Sequence, residues 1–145
     1  MKKLLMFALI AVSVITCAFA APLKGVNYFV SNSFKSRYPQ VADVHWTATT
    51  SYAKATFVLN NVRTEAFYKP DGDFIGSCHA ISIDDLPITA KRSFAKKYAN
   101  YTVKEAIKFD GAEETAYFIS AENEKGSVVL KVAGAHISVY AVNRD

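Results

Sequence analysis

The hydrophobic periodicity of this chain is the sequence feature that most constrains its fold. The periodicity changes from a helical repeat to a strand-like repeat twice, at positions 60 residues apart. The segment Phe34–Tyr38 aligns with Phe94–Tyr98, and each closes a pattern in which apolar residues recur every three or four positions. Each is followed by stretches of alternating apolar and polar residues, the pattern of half-buried strands. The sequence therefore predicts two copies of one unit, a helix followed by four strands, over about 23–83 and 84–145.

The two predicted helices have recognisable ends. The first runs from about Leu23 to Tyr38 and is stopped by Pro39, which cannot continue a helix. The second runs from about Pro87 to Tyr98, with proline in the first turn, where no amide donor is missed. Asp84 and Asp85 lie just before this second helix, where a negative charge favours the helix dipole.

Short turns separate the predicted strands, and this spacing favours antiparallel pairing between neighbours. Each helix must bury its apolar face, so both are expected to pack on the same face of the sheet. The opposite face would then be open to water or to a partner. The sequence thus predicts an α+β fold in which two α-β4 repeats form one antiparallel sheet with both helices packed on one face. The turns are predicted at Asn60-Asn61, Pro70–Asp73, Asp110-Gly111, Asn123–Gly126 and Gly134.

The first 20 residues have the pattern of a cleavable secretory signal peptide. Lys2 and Lys3 precede a short apolar run, which ends in the small-residue site Ala18-Phe19-Ala20. Two alternatives remain open at this point: an uncleaved membrane anchor, although the run is only marginally long for a span of ~20 residues, and lipidation at Cys17. The prediction is a periplasmic or secreted protein that does not span a membrane.

Cleavage would leave residues 21–145, a length typical of one domain. This part of the chain keeps Cys78 alone, so no intramolecular disulfide can form. Without Lys2 and Lys3, fifteen basic side chains face thirteen acidic ones, a balance too even to indicate nucleic-acid binding. A cluster of cations in the second helix is interpreted as the solvated face of an amphipathic helix; its members are Lys91, Arg92, Lys96 and Lys97.

Several short motifs occur in a fixed order along the predicted domain. They are Phe34 to Tyr38-Pro39, Asp43-Val44-x-Trp46, Tyr52 to Phe57, Tyr68-x-Pro-Asp-Gly72 and Asp85-Leu86-Pro87. In this order they resemble the PepSY-like proteins that share the fold of beta-lactamase inhibitory protein, which are common as exported proteins of Bacteroidetes-type bacteria. The resemblance covers essentially the whole of residues 21–145. The second half departs from it, since Ala99-Asn100 replaces the expected proline.

The resemblance implies a binding or inhibitory module rather than an enzyme. The named relative inhibits an enzyme by docking a concave sheet face onto it, so the implied partner is a protein in the cell envelope or outside the cell. No cofactor is implied. Two alternatives remain: a calcium-responsive envelope protein, and an enzyme of an unrecognised kind. The partner's identity and the oligomeric state are not predicted.

The residues give no catalytic constellation. Cys78 and His79 are neighbours in a predicted strand, so their side chains point to opposite faces and cannot share the hydrogen bond that activates a nucleophile. His45, His79 and His136 lie on separate predicted strands, without the spacing of metal ligands. We therefore predict no catalytic residue, and at most a weak calcium site at Asp71 and Asp73, where two carboxylates share one turn.

The polar side of the first four strands is the predicted partner-binding surface. If the helices cover the other side, these residues face outward, and a hydroxyl-rich face with a few charges and one aromatic ring suits a protein partner. The alternative is an ordinary solvated sheet. The residues are Thr47, Thr49, Lys54, Thr56, Arg63, Glu65 and Phe67.

Overall fold

The structure is a computed structural model, and it describes residues 25–143. The predicted signal peptide, its cleavage site and Cys17 lie outside the described residues. Within 25–143, neither helix combines the length and the apolar character that crossing a bilayer requires.

The two long helices are α1, Tyr28–Arg37, and α2, Ile88–Lys97, so every residue of α1 has a counterpart 60 positions later. The helix α1 begins later than the predicted Leu23. Asn27 is extended and its side chain accepts a hydrogen bond from the amide of Val30 at 3.0 Å, which fixes the first turn there. A short 3₁₀ helix, Ile83–Asp85, precedes α2 and contains the two aspartates that the sequence placed before it.

Eight strands form a single sheet in which every strand pairs antiparallel with its neighbours in chain order. The predicted α+β fold is confirmed. Short turns join the strands within each repeat, which leaves no room for a crossover there. The strands are β1 Val44–Ala48, β2 Ala53–Leu59, β3 Val62–Tyr68, β4 Phe74–Ile81, β5 Thr102–Gly111, β6 Thr115–Asn123, β7 Gly126–Ala133 and β8 His136–Asn143. The β4–β5 connection is longer and contains α2, yet β4 and β5 also pair antiparallel.

Two strand boundaries differ from the predicted ones. The alternation of polar and apolar residues predicts a first strand over 44–52, yet β1 ends at Ala48 because a turn forms around Thr49. In the second half, β5 continues through Gly111, whose amide donates to the carbonyl of Glu114 at 2.9 Å, so the turn comes after Gly111 and not at Asp110-Gly111. The Asn60-Asn61 turn is confirmed, with φ angles of 51° and 64° that asparagine tolerates.

The core under α1 is aromatic. Phe34 is 2 % exposed, and its ring centroid lies 5.1–6.3 Å from four other rings. Phe29 lies three positions after Val26 in the apolar spacing that also includes Val30, which predicts a buried side chain. It is instead 65 % exposed, because the buried side of α1 is the side of Val30 and Phe34. The four rings are Tyr38, Trp46, Phe57 and Tyr68.

The core under α2 is mainly aliphatic. Leu86, Ala90 and the half-buried Phe94 pack on buried residues of the last three strands. The pairing of Ile81 with Ala106, and of Ala106 with Ile119, carries the same sheet face from the first half into the second. Both helices therefore cover one face, as predicted. The buried strand residues are Ile119, Ala121, Val128, Leu130, Val132 and Ile137.

Candidate functional site

The face of the sheet turned away from both helices is called the open face here. In its first half, strand register brings polar side chains into rows: Thr47 lies opposite Lys54, and Thr56 lies opposite Glu65. Phe67 also pairs with Lys54, and Arg63 follows two positions before Glu65 on the same side of β3. Six of the seven predicted surface residues are thus brought together on this face.

The seventh residue, Thr49, lies in the β1–β2 turn. Its Oγ1 accepts hydrogen bonds from the amides of Ser51 and Tyr52, both at 3.2 Å, and its own amide donates to the Tyr52 carbonyl at 2.8 Å. A threonine hydroxyl competes with strand pairing in this way, which is why the alternation seen in the sequence does not extend the strand. Thr49 shapes the end of the open face and is not one of its strand residues.

A compact ionic group lies on the open face. Lys54 Nζ is 3.3 Å from Glu65 Oε1, and Arg63 Nη2 is 3.7 Å from the same oxygen. The side chains of Lys54 and Glu65 are 19 % and 17 % exposed, whereas that of Arg63 is 76 % exposed. One carboxylate therefore holds two cations, and the outer cation remains accessible to a partner.

Beside the ionic group is an apolar centre built from both halves of the chain. Phe67 is 2 % exposed, so it belongs to this packed centre and does not project as the exposed aromatic that the sequence suggested. The rings of Tyr52 and Tyr140 are half-buried and pack against Phe67 and Phe118 at 6.2 and 5.4 Å. The buried members of the centre are Phe67, Cys78, Ile107, Phe109, Ala116 and Phe118.

Phe109 lies over two glycines that face each other across β4 and β5. Gly76 pairs with Gly111, and a Cβ atom added at Gly76 would lie 2.3 Å from Phe109 Cζ. A Cβ atom added at Gly111 would lie 2.9 Å from Phe109 Cε1. Because both glycines lack a side chain, the Phe109 ring lies close to the backbone of β4 and β5. The centre of the open face is therefore apolar and projects little from the sheet.

Cys78 lies in this centre and is not arranged as a nucleophile. Burial first, and then the nearby Glu65 carboxylate, raises the pKa of the Cys78 thiol to about 12, although Lys54 opposes the shift. His79 pairs with Thr64 and Lys108 on the helix-covered face, so the two neighbours point apart as predicted. An uncharged thiol without an adjacent base is a weak nucleophile.

Sequence reasoning missed Glu105 as a member of the open face. Glu105 pairs with Ser120 on the open side, in continuous register with Phe109. The register shift in β5 lies before it, between Val103 and Glu105. Burial, followed by the Glu65 charge, raises the pKa of the half-buried Glu105 carboxyl. Strict alternation from the buried Phe109 gives the same assignment, but the predicted surface used only the first half of the chain.

The Asp71 and Asp73 carboxylates have local partners. Asp71 Oδ1 accepts from the Asp73 amide at 3.0 Å, and Asp73 Oδ2 is 3.2 Å from Lys69 Nζ. Between residues 25 and 143, no group of three or more histidine, cysteine, aspartate or glutamate side chains converges as a metal site would require. The geometry here is that of a turn stabilised by its own aspartate.

The architecture defines an α+β class with eight antiparallel strands and two helices on one face. The chain is similar to solved Bacteroides structures of this class. A proposed periplasmic protein from Bacteroides eggerthii matches with a TM-score of 0.73 and 18% identity, over 83% of this chain and 89% of that one. A DUF2874 family protein from Bacteroides uniformis matches with a TM-score of 0.73 and 14% identity, over 83% of this chain and 90% of that one.

A BLIP-like protein from Bacteroides fragilis matches with a TM-score of 0.71 and 17% identity, over 85% of this chain and 92% of that one. BLIP denotes beta-lactamase inhibitory protein, so the BLIP-like fold expected from the sequence is confirmed. No family model and no curated protein matches the sequence. The B. eggerthii protein is described as periplasmic, and a periplasmic or secreted localisation is what the leader of this chain predicts.

Proposed function

We propose that the protein is an exported, non-catalytic binding module of the PepSY-like group, which docks a protein partner on the open face. One observation carries this proposal: an apolar centre with two half-buried tyrosines lies beside an ionic group, on a sheet face that neither helix of residues 25–143 covers. Protein interfaces combine such aromatic anchors with a polar rim. Tyr52 and Tyr140 are the proposed anchors, and Arg63 is the proposed rim cation.

The fold likeness supports an inhibitor-like mode of binding. The B. fragilis protein is described as BLIP-like, and the resemblance drawn from the sequence implies docking through a concave sheet face. The state of Cys78 supports a non-catalytic role, because burial keeps its thiol protonated and the neighbouring His79 points to the opposite face. The proposed target is a protein of the cell envelope or of the extracellular space.

Photocrosslinking in the native bacterium tests this proposal. A photoreactive phenylalanine analogue replaces Thr56, which lies half-buried on the open face, and in a matched strain it replaces Ser36, which is exposed on α1. We expect the Thr56 position to trap one discrete protein and the Ser36 position not to trap it. The ionic group supplies a second check, because Arg63→Glu should weaken the same crosslink by reversing the accessible charge.

Equal crosslinking from both positions, or crosslinks to many unrelated proteins, would contradict a specific open-face interaction. An identified target also permits a direct inhibition assay with purified components. Turnover of a small molecule by the protein alone, lost on substitution of open-face residues, would instead favour the enzyme alternative.

A further inference from the structure

The cations of this protein divide into two groups. Six ion pairs connect residues of 25–143, and every one of them lies on strands or turns. By contrast, α1 and α2 together contain six cations and no carboxylate, and within the described chain none of the six forms an ion pair. These helix cations are Lys35, Arg37, Lys91, Arg92, Lys96 and Lys97.

Two of the six cations are held by other contacts. The Arg37 guanidinium lies 3.8 Å from the centroid of the Phe74 ring, and Lys91 Nζ donates to the Asp84 carbonyl at 2.9 Å. The remaining four are exposed and have no recorded polar contact within the described residues. Positive charge is therefore concentrated on the outer surface of the helices, whereas the rest of the described chain carries seven cations and twelve carboxylates. The four exposed cations are Lys35, Arg92, Lys96 and Lys97.

Apolar side chains accompany these cations on the outer side of the helices. Tyr28 is 75 % exposed and lies seven positions before Lys35, on the same helical stripe. Ile88 is its 60-residue counterpart, is 57 % exposed and lies four positions before Arg92. Phe29 adds a third exposed apolar group. Each helix thus presents an apolar group in its first turn and cations further along.

We propose that this outer helix surface binds peripherally to a bilayer that contains anionic phospholipids. Lipid phosphates would supply the negative charge that the six helix cations lack, at about 1 kcal/mol for each cation near the surface. Tyr28, Phe29 and Ile88 would enter the headgroup boundary, where aromatic and aliphatic side chains of amphipathic helices lie. The exposed apolar groups favour a bilayer over a purely ionic partner such as an acidic protein.

This inference does not depend on the proposed partner at the open face. It does give that face an orientation, because the open face lies on the opposite side of the sheet from both helices. A molecule docked through its helices would direct the open face away from the bilayer. The two surfaces can therefore be tested separately.

Vesicle sedimentation tests the proposal. The protein is recovered from the periplasmic fraction, with its N-terminus verified by mass spectrometry, and is mixed with phosphatidylcholine vesicles with or without about one-third phosphatidylglycerol. We expect binding to the anionic vesicles alone, weakening as salt is added. The combined change Lys35→Glu, Arg92→Glu and Lys96→Glu should reduce that binding by about a hundredfold, since roughly 1 kcal/mol is lost per cation and about 1.4 kcal/mol corresponds to tenfold.

A matched control carries the same change in net charge at three exposed cations outside the helices: Arg63→Glu, Lys104→Glu and Lys125→Glu. It should retain most of the binding, and thermal melting should show both triple variants folded. A second variant, Tyr28→Ser, should weaken binding several-fold without changing charge. Absence of binding to anionic vesicles, or an equal loss in both triple variants, would overturn the proposal. So would capture of an acidic protein by the helices without any binding to vesicles.

Discussion

Phe34 and Phe94 occupy equivalent positions 60 residues apart, yet we expect their replacement by alanine to have different costs. Phe34 is 2 % exposed and meets four rings, whereas Phe94 is half-buried and stacks on Tyr98 at 5.7 Å. Removing a fully buried phenylalanine costs roughly 3–5 kcal/mol, as transfer free energy and as the cavity left behind. Phe34→Ala should therefore lower the free energy of unfolding by that amount. Phe94→Ala should cost about half as much, because part of its ring already contacts water.

These costs translate into a measurable difference in melting temperature. An unfolding entropy of about 2.1 cal/mol/K per residue gives roughly 0.25 kcal/mol/K for the described chain of about 120 residues. A loss of 3–5 kcal/mol then lowers the melting temperature by roughly 12–20 °C for Phe34→Ala, against about 8 °C for Phe94→Ala. Circular dichroism during heating measures both shifts, and urea unfolding gives the free energies independently.

A surface control separates packing from helix propensity. Tyr28→Ala also replaces an aromatic residue of α1, but the side chain is 75 % exposed, so its effect should stay within about 0.5 kcal/mol. Equal losses for Phe34→Ala and Phe94→Ala would refute the view that the first half holds the tighter core. A loss below about 1.5 kcal/mol for Phe34→Ala would refute the four-ring packing itself.

Three further predictions concern backbone geometry and the buried thiol. Gly76→Ala should cost roughly 1–3 kcal/mol in urea unfolding, because its Cβ would lie 2.3 Å from Phe109 Cζ, and Phe109→Leu should recover part of the loss by making room. Asn61 has a φ of 64°, so Asn61→Val should destabilise the fold by about 1–2 kcal/mol while Asn61→Gly is neutral or stabilising; a similar loss in both would argue against the left-handed turn. Cys78 has a raised pKa of about 12, so at about pH 8 iodoacetamide should alkylate the native thiol far more slowly than the urea-unfolded one, as followed by mass spectrometry. Because the folded state favours the neutral thiol, its contribution to stability is present below the unfolded thiol pKa and declines as pH rises towards 12; rapid native alkylation would contradict this burial.

The order of elements could be predicted because each element shows its own period and the turns between them have strong chemistry. The 60-residue spacing of Phe34 and Phe94 indicates which positions of the two helices are equivalent. After each helix, apolar and polar residues alternate clearly. Boundaries were less predictable where local hydrogen bonds compete with the pattern. Thr49 ends β1 through its hydroxyl, and Gly111 continues β5 by pairing with Gly76.

The candidate site was only partly predictable, for two physical reasons. Alternation predicts the face of the sheet on which a residue lies, but not whether that face is packed. Phe67 does lie on the open face, as predicted, but its ring is buried there, whereas the sequence predicted an exposed ring. Alternation also fails where a strand gains a residue. The register shift between Val103 and Glu105 puts Val103 on the helix-covered face opposite Ala121. This position goes against the alternation that continues from Phe109 to Glu105, and no local pattern in β5 reveals the shift.

The open face is a product of joining the two repeats, and this distinguishes it from the rest of the core. Each helix packs mainly on its own half, because the buried residues of each cluster beneath a helix come from one repeat. Two residues of the first repeat pack against the second cluster as half-buried neighbours, Ile81 and Ile83. The apolar centre instead combines Phe67 and Cys78 with Phe109 and Phe118. Pairing between β4 and β5 holds these residues together, with Cys78 directly opposite Phe109. Neither repeat alone can supply the centre, so a partner that recognises it recognises the assembled pair of repeats.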